Sequence, residues 1–210
     1  MAKKGDLVIA NRLSQLTGLP EATPFLVEFS SLFEGPIHFE AHENLWTMGD
    51  REGYLWYIHF GYGFDRILLE DGTKMLNGMT EPGIFICDEN SLLWGGPSKT
   101  DSIMYTPGTA YRLSHKEWKD FVIKNEPMRN VLLHINSHFV QMRKLRLLKM
   151  KMMDKVEYWK YIQKRFPGIE KYCSQTEIHH ADGYAEPHQR HRETPGQGWI
   201  TTPAPETEQE

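Results

Sequence analysis

Short runs with β-strand character, separated by turn residues, fill residues 38–113 and constrain the fold more than any other part of the sequence. The runs are 38–42, 45–48, 54–60, 64–69, 74–76, 102–105 and 109–113. Between two of them, Asp71-Gly72 is a strong hairpin signal, because glycine readily adopts the positive φ that a tight turn requires. Short strands at regular spacing indicate a sandwich or barrel. Helical patterns flank the block on both sides, so we predict a β-roll between helices.

Two short helices are predicted before the strands. Ile9, Leu13 and Leu16 are spaced as on one helix face, and a second helical pattern covers 24–33. Each pattern is followed by glycine and proline, which commonly end helices.

A capped helix and a longer one are predicted after the strands. Ser114 with Glu117 three residues later matches a capping box, in which each side chain bonds the other residue's backbone N–H. This pattern starts a helix over 116–124. The longer helix, over 127–153, begins with a proline, which suits a first helical turn.

The longer helix carries a heptad pattern, which predicts a parallel dimer seam. Its apolar seam positions are Met128, Val131, Ile135, Met142, Leu145 and Met152. At about 1.5 Å per residue such a helix spans roughly 40 Å, which is longer than a small roll. The alternative is that the stripe packs against the roll of its own chain.

The remaining chain divides into a helical part and a polar tail. A helix is predicted over 155–166, and its apolar residues cover more than one face, so part of it should be buried. The last stretch is rich in proline and glycine and is predicted to be disordered. The predicted domains are the roll with its N-terminal helices, the dimerisation helix, a C-terminal helical region and the tail: 1–115, 116–153, 154–192 and 193–210.

Charge and composition limit the possible partners. The net charge of −4 argues against a basic nucleic-acid binder overall, so any DNA contact must come from a local patch. No apolar run is long enough to span a membrane and no secretory signal is seen, so no membrane partner is expected. The two cysteines, Cys87 and Cys173, lie far apart in the sequence, which favours a reducing cytoplasm and argues against an iron–sulfur cluster.

The order of these parts, together with a set of glycines, resembles the Crp/Fnr family of bacterial regulators. The glycine positions are Gly49, Gly61, Asp71-Gly72 and Gly83, and the resemblance covers roughly residues 20–192. It implies an α+β fold with a cyclic-nucleotide-binding-like β-roll (a jelly roll), a long dimerisation helix and a small C-terminal helix-turn-helix-like region. It also implies a homodimer, a small-molecule effector and duplex DNA as a candidate partner.

The loop that binds the ligand in this family departs from the family pattern. The corresponding residues here are Gly83, Cys87, Asp88, Glu89, Ser98 and Lys99. The Gly-Glu pair of cyclic-nucleotide binders falls on Cys87-Asp88, and their phosphate-binding arginine falls on Ser98. Carboxylates here would repel a phosphate, and a lysine point charge does not replace an arginine fork. We therefore expect another small ligand, or none, rather than cyclic AMP.

The DNA-binding end departs as well. Residues 187–192 fall on the family's recognition helix, where Gln189, Arg190 and Arg192 could contact phosphates or base edges. Gln189 and Arg192 also occupy positions that are usually apolar and hold the two helices together. Sequence-specific DNA binding and a decayed motif both remain open.

The second alternative is a cyclic-nucleotide-binding-like module without DNA binding, which acts by binding a ligand or a protein. A cupin-type metal enzyme is the third, suggested by His38, Glu40 and His42. Their spacing does not match the cupin His-x-His motif, and a metal needs more converging ligands. The histidine cluster His179, His180, His188 and His191 is interpreted as a polar surface. No catalytic motif appears, so neither an enzyme, a cofactor nor a metal site is expected.

Overall fold

The computed structural model of the protein describes residues 4–51, 53–68, 74–172, 174–176 and 178. The helices are α1 (Lys4–Thr17), α2 (Pro24–Ser31), α3 (Glu89–Trp94), α4 (His115–Lys124), α5 (Glu126–Met152) and α6 (Lys155–Arg165), with a 3-10 turn at Ile169–Lys171. The strands are β1 (Glu34–Phe39), β2 (Glu43–Trp46), β3 (Tyr54–Phe60), β4 (Gly63–Leu68), β5 (Lys74–Thr80), β6 (Phe85–Ile86), β7 (Thr100–Met104) and β8 (Gly108–Ser114). No helix within these ranges is both long and apolar enough to cross a membrane.

The strands form two antiparallel sheets that face each other as a jelly roll, which confirms the predicted β-roll between helices. One sheet has the order β1-β8-β3-β6 and the other has the order β2-β7-β4-β5. The Asp71-Gly72 turn lies outside the described residues. The strands on either side of it pair as a hairpin, with Ile67 opposite Met75.

Alternation along the strands divides the first sheet into two faces. Trp56, Ile58 and Ala110 pack with side chains of the second sheet inside the roll. Neighbouring residues in the same strands, such as Tyr57 and Tyr111, point to the outer face and pack against helices. That outer layer consists of the two predicted N-terminal helices, α1 and α2, together with the first half of α5 and side chains of α3 and α4.

The long helix is present as predicted, but its first half does not offer the predicted seam to a partner. Met128, Val131 and Ile135 are 0%, 6% and 4% exposed, because they pack in the chain's own core beside α1 and α2. A side chain buried there cannot also contact a second copy, so the seam prediction is corrected at these three positions. Met142 is half-buried, whereas Leu145 and Met152 are 48% and 83% exposed.

Helix α6 packs on the outer face of the second sheet. Its capping box is formed by Asp154 and Glu157, which fixes where the helix starts. Tyr158 and Ile162 are fully buried against β4 and β7, as the apolar pattern of this helix predicts. Ile178, near the end of the described chain, is buried in the same cluster.

Two local features differ from the sequence-based prediction. β1 starts at Glu34 rather than at 38, and His42 lies in a turn with φ of 69° instead of in a strand. The backbone N–H of His42 donates to the Met104 carbonyl at 2.6 Å, which holds this turn against β7. Helix α3 was not predicted, because a helix of 6 residues is too short for a periodic pattern to show.

Candidate ligand site in the β-roll

The structure brings most of the predicted ligand loop together between β5 and β7. Gly83 lies in the turn before β6, Cys87 follows that strand, Asp88 and Glu89 begin α3, and Ser98 and Lys99 precede β7. The backbone of Gly83 is fixed from two sides: its N–H donates to the Ile58 carbonyl at 2.7 Å, and its carbonyl accepts from Arg12 Nε at 2.6 Å. The loop is therefore held by both the roll and α1.

The Asp88 carboxylate is the centre of this loop. It caps α3, because Oδ1 accepts from the Ser91 backbone N–H at 2.9 Å. Its other oxygen, Oδ2, accepts from the Lys99 backbone N–H at 2.9 Å and from the Thr100 hydroxyl at 3.2 Å. Asp88 is only 5% exposed. The chain's own anion thus takes up donors of the kind that would otherwise bind a ligand anion.

A second buried carboxylate and the backbone around Ser98 join the ligand loop to the loop between β2 and β3. Asp101 is 7% exposed, and its Oδ1 accepts from the Met48 backbone N–H at 2.6 Å. The Ser98 carbonyl accepts from the Gly49 N–H at 2.9 Å, and the Ser98 N–H donates to the Asp50 carbonyl at 2.7 Å. Carboxylates and backbone groups of the protein therefore hold both ends of the ligand loop, whereas the Ser98 hydroxyl is buried without a hydrogen-bond partner among the described residues.

The roll carries a further acid, Asp65 on β4. Burial raises the pKa of Asp65 to about 6, the neighbouring Ser102 hydroxyl offsets part of this effect, and the carboxylates of Glu89 and Asp88 add to it. Arg143 on α5 acts in the opposite direction and lowers this pKa. Because the Glu89 and Asp88 carboxylates lie close enough to raise the pKa of Asp65, a phosphate entering here would meet negative charge.

Cys87 is a half-buried thiol in the same acidic surroundings. Burial raises its pKa to about 12, and the nearby Glu89, Asp88 and Asp65 carboxylates act in the same direction. The thiol therefore stays protonated, and the thiolate that redox or metal chemistry needs is strongly disfavoured.

The other predicted functional residues either lie outside the described residues or form no metal site within them. Gln189, Arg190 and Arg192 lie outside the described residues, as do the four histidines of the predicted polar cluster. Of the cupin-like trio, His38 Nδ1 lies 3.2 Å from the Thr109 hydroxyl, and the His42 ring packs on Tyr105. Within the described ranges, no three His, Cys, Asp or Glu side chains are grouped in a way that could hold a metal.

A cleft lined by Trp46, Trp56 and Arg112 was not anticipated from the sequence. Its residues come from β1, β2, β3, β8 and the loop after β2, and none of the six ligand-loop residues lines it. Trp56 lies opposite Arg112 across the β3–β8 pair. Inward-facing aromatic residues in successive strands were a possible signal. Arg112 lies beside these aromatic residues only because of the register between β3 and β8, which the sequence does not reveal.

The comparisons with known proteins identify the fold. No protein-family model matches the chain, and no curated protein matches it. DNR from Pseudomonas aeruginosa matches with 16% identity and a TM-score of 0.52, and the catabolite activator protein of Thermus thermophilus matches with 14% identity and a TM-score of 0.51. Both matches cover 67% of this chain and 62% of the other chain, which is less than two thirds of each regulator.

A regulatory subunit of a cAMP-independent protein kinase A from Trypanosoma brucei also matches. Its identity is 14% and its TM-score is 0.50, over 64% of this chain and 49% of that one. Transcription regulators and kinase subunits thus share this architecture. At such identities the likeness shows the fold alone, and that fold is the cyclic-nucleotide-binding-like β-roll with its flanking helices.

Proposed function

We propose that this chain is a dimeric transcription regulator of the Crp/Fnr type, whose roll senses a small ligand other than cyclic AMP and catalyses no reaction. The observation that carries the proposal is the second half of α5. There Leu145, Leu148 and Met152 are 48%, 54% and 83% exposed, although all three are apolar. Helix α5 thus leaves the roll with an apolar stripe that the described part of the chain does not cover.

The spacing of this stripe suits a second copy of the same helix. Leu145, Leu148 and Met152 are three and four residues apart, which is the spacing of a coiled-coil seam. A dimer built on them would join the roll of each protomer to the chain that follows α5. The predicted seam is thus displaced toward the C-terminal half of the helix.

The state of the ligand loop argues for a ligand other than cyclic AMP. The Asp88 carboxylate already accepts from Lys99 and Thr100, and the neighbouring acids would repel a cyclic phosphate. We expect millimolar cyclic AMP to leave the melting temperature unchanged, because a ligand stabilises only the state that it binds. A clear rise in the melting temperature would contradict this part of the proposal.

A ligand in the roll would act through the helices that follow it. Arg143 on α5 lowers the pKa of Asp65 in the roll, so the long helix and the roll interact electrostatically. A ligand that binds one arrangement of these elements better than another shifts the population toward it. In a dimer this shift would move residues 174–192 of the two protomers relative to each other.

Selection from a random duplex DNA pool tests the regulator proposal. The full chain is incubated with the pool, the retained DNA is sequenced, and affinity is measured by anisotropy over a salt series. Enrichment of a two-fold symmetric site supports a dimeric regulator. Arg190→Ala and Arg192→Ala should weaken binding to that site, and Lys119→Ala in α4 serves as the charge-matched control. Binding without enrichment, or no binding at low salt, contradicts specific regulation.

A second candidate is a binding module without DNA recognition, and the packing of Ile178 favours it. This residue lies in the segment that resembles the start of a helix-turn-helix, yet it is fully buried in the cluster of α6 and the second sheet. A segment fixed there is less able to move with a ligand. Selection without an enriched site would favour this candidate over the regulator.

A further inference from the structure

The cleft named above opens at the edge where β1 and β2 lie, the outer strands of their two sheets. It encloses about 420 Å³, which is within the range of small-molecule sites. Its walls and rim combine aromatic and cationic side chains: Phe39, Trp46, Tyr54, Trp56, Arg51 and Arg112. Such a combination suits a ligand that is both flat and negatively charged.

The aromatic wall is held in place before any ligand arrives. Phe39 meets Trp56 edge to face, with 5.7 Å between ring centroids, and Tyr54 lies 5.8 Å from the same indole. Trp46 is 7% exposed, and its Nε1–H donates to the Thr100 hydroxyl at 3.1 Å. A preformed wall of this kind costs little ordering entropy on binding.

The cationic rim comes from two arginines in different environments. The Arg112 guanidinium lies 4.4 Å above the Tyr54 ring, and its Nε donates to Glu34 at 3.0 Å. These contacts use the face and one edge of the guanidinium, so the η nitrogens remain as donors for a planar anion. Arg51 is exposed in the loop after β2 and makes no hydrogen bond or ion pair with the described part of the chain.

The charge of the cleft selects the sign of the ligand. The only lining carboxylate among the described residues is Asp50, and it already accepts from the Thr47 backbone N–H at 2.8 Å. Glu34, which pairs with Arg112 Nε, offsets part of the positive charge, and like Asp50 it already accepts a hydrogen bond within the chain. The remaining N–H donors of the two guanidiniums therefore favour an anion over a cation, even though the aromatic wall alone could accept either.

We propose that this cleft binds a small planar aromatic carboxylate, with its rings against Trp46 and Trp56 and its carboxylate on Arg112 and Arg51. This ligand class would be the effector of the roll only if the proposed sensor role is correct, whereas binding in the cleft does not depend on that role. The cleft also has a direct link to the ligand loop. The Thr100 hydroxyl accepts from Trp46 and donates to Asp88 Oδ2 at 3.2 Å.

Calorimetric titration with a matched pair of compounds tests the proposal. The probes are 2-naphthoate and its neutral analogue 2-naphthamide, each added to the full chain, with tryptophan fluorescence followed in parallel. We expect the acid to bind about tenfold more tightly than the amide, because charge-assisted bonds to guanidinium are lost in the amide. Equal binding of the two compounds, or no binding of the acid, overturns the proposal.

Variants then assign the binding to the cleft. In the double variant Arg51→Met/Arg112→Met the acid should lose its advantage and bind like the amide, whereas Lys119→Met removes a distant charge and should change neither affinity. Arg51→Met alone should reduce the affinity for the acid severalfold. Because Arg51 is exposed, this single variant should fold normally and replaces the double variant if that one fails to fold. Unchanged affinity for the acid in Arg51→Met and in the folded double variant contradicts the site.

The outcome is independent of the DNA selection. If the acid binds through the arginines but no DNA site is enriched, the cleft stands and the regulator proposal falls. If a DNA site is enriched but neither naphthalene compound binds, the regulator stands and the cleft falls.

Discussion

At the scale of single residues, the Asp88 carboxylate determines the state of the ligand loop. Three donors converge on it, from Ser91, Lys99 and Thr100, and it is almost fully buried. A loop closed in this way is stabilised by the protein itself and does not need a ligand anion to hold it together. The same carboxylate therefore stabilises the loop and occupies donors that a ligand phosphate would need.

Asp88→Ala should lower the free energy of unfolding by about 3 kcal/mol, because it removes a helix cap and leaves buried donors without an acceptor. Urea unfolding followed by circular dichroism measures the change. Glu89→Ala is the matched control, since this neighbouring carboxylate is exposed and should cost less than about 0.5 kcal/mol. Equal losses in the two variants would mean that the Asp88 network does not hold the loop.

Asp65 should make the stability of the roll depend on pH. Its folded-state pKa of about 6 is above the usual value of 3.8, so the folded protein binds this proton more tightly than the unfolded chain does. The contribution of Asp65 to stability is thus fully present below pH 4 and is lost as the pH rises through about 6. The loss amounts to about 3 kcal/mol, because each unit of pKa difference corresponds to about 1.4 kcal/mol.

Asp65→Asn should remove this dependence. We expect the variant to gain stability relative to the unmodified chain between pH 4 and pH 8, as measured by urea unfolding at both values. Asp120→Asn, at an exposed carboxylate on α4 that pairs with Lys116, is the control and should show no comparable change. A constant difference between Asp65→Asn and the unmodified chain at all pH values would contradict the burial of an ionisable carboxylate.

At the scale of elements, the two halves of α5 have different surroundings. Its first half belongs to the core of the roll through Met128, Val131 and Ile135, and its second half exposes an apolar stripe. The heptad pattern in the sequence joined both halves into one seam. Periodicity identifies a helix and its apolar residues, but it does not say whether another helix of the same chain or a second copy covers them.

Leu148→Lys should dissociate a dimer formed through the second half of α5. A lysine in an apolar seam must lose its hydration when the dimer forms, and this costs free energy. In the monomer the same lysine is exposed and stays hydrated, so the substitution destabilises only the dimer. Sedimentation over a range of protein concentrations measures the change in the dimerisation constant, which we expect to exceed tenfold.

Leu7→Lys is the control for this variant, because Leu7 is 63% exposed on α1 and lies outside the stripe. It adds the same charge and removes the same side chain without touching the proposed interface. If both variants remain dimeric, association uses another surface. If the unmodified chain is monomeric at every concentration, the dimer proposal fails.

At the scale of the whole molecule, the sequence predicted the local elements well and their mutual contacts poorly. The glycine framework has a clear physical basis: Gly61 has φ of +97°, and a Cβ there would lie 2.8 Å from Gly108 Cα. Helix caps are equally local and therefore predictable, as with Ser114, whose side chain accepts from the Glu117 backbone N–H. The Asp88 network and the pairing of Trp56 with Arg112 depend on strand register and loop closure, which bring together residues far apart in the chain.

The attachment of α6 to the roll is another such contact, and it links the C-terminal part of the molecule to the second sheet. Arg165 forms two parallel bonds with Glu81, at 2.9 Å from Nε to Oε2 and 2.5 Å from Nη2 to Oε1. Its Nη1 also donates to the Tyr161 hydroxyl at 3.0 Å. The hydrogen bond to Glu81 raises the pKa of Arg165, so the guanidinium remains charged at all relevant pH values.

Glu81→Gln should loosen α6 from the roll without unfolding the roll itself. The amide can accept only one of the two guanidinium bonds, so local opening of Lys155–Arg165 becomes easier and its amide hydrogens should exchange about tenfold faster. Hydrogen exchange followed by mass spectrometry measures this on peptides from α6, with peptides from β3 and β8 as the internal reference. Asp120→Asn breaks an exposed ion pair within α4 and should leave exchange in α6 unchanged. Faster exchange across α6, β3 and β8 together would show that the roll and the C-terminal segment open as one unit, and in that case a ligand signal could not pass through a separate movement of α6.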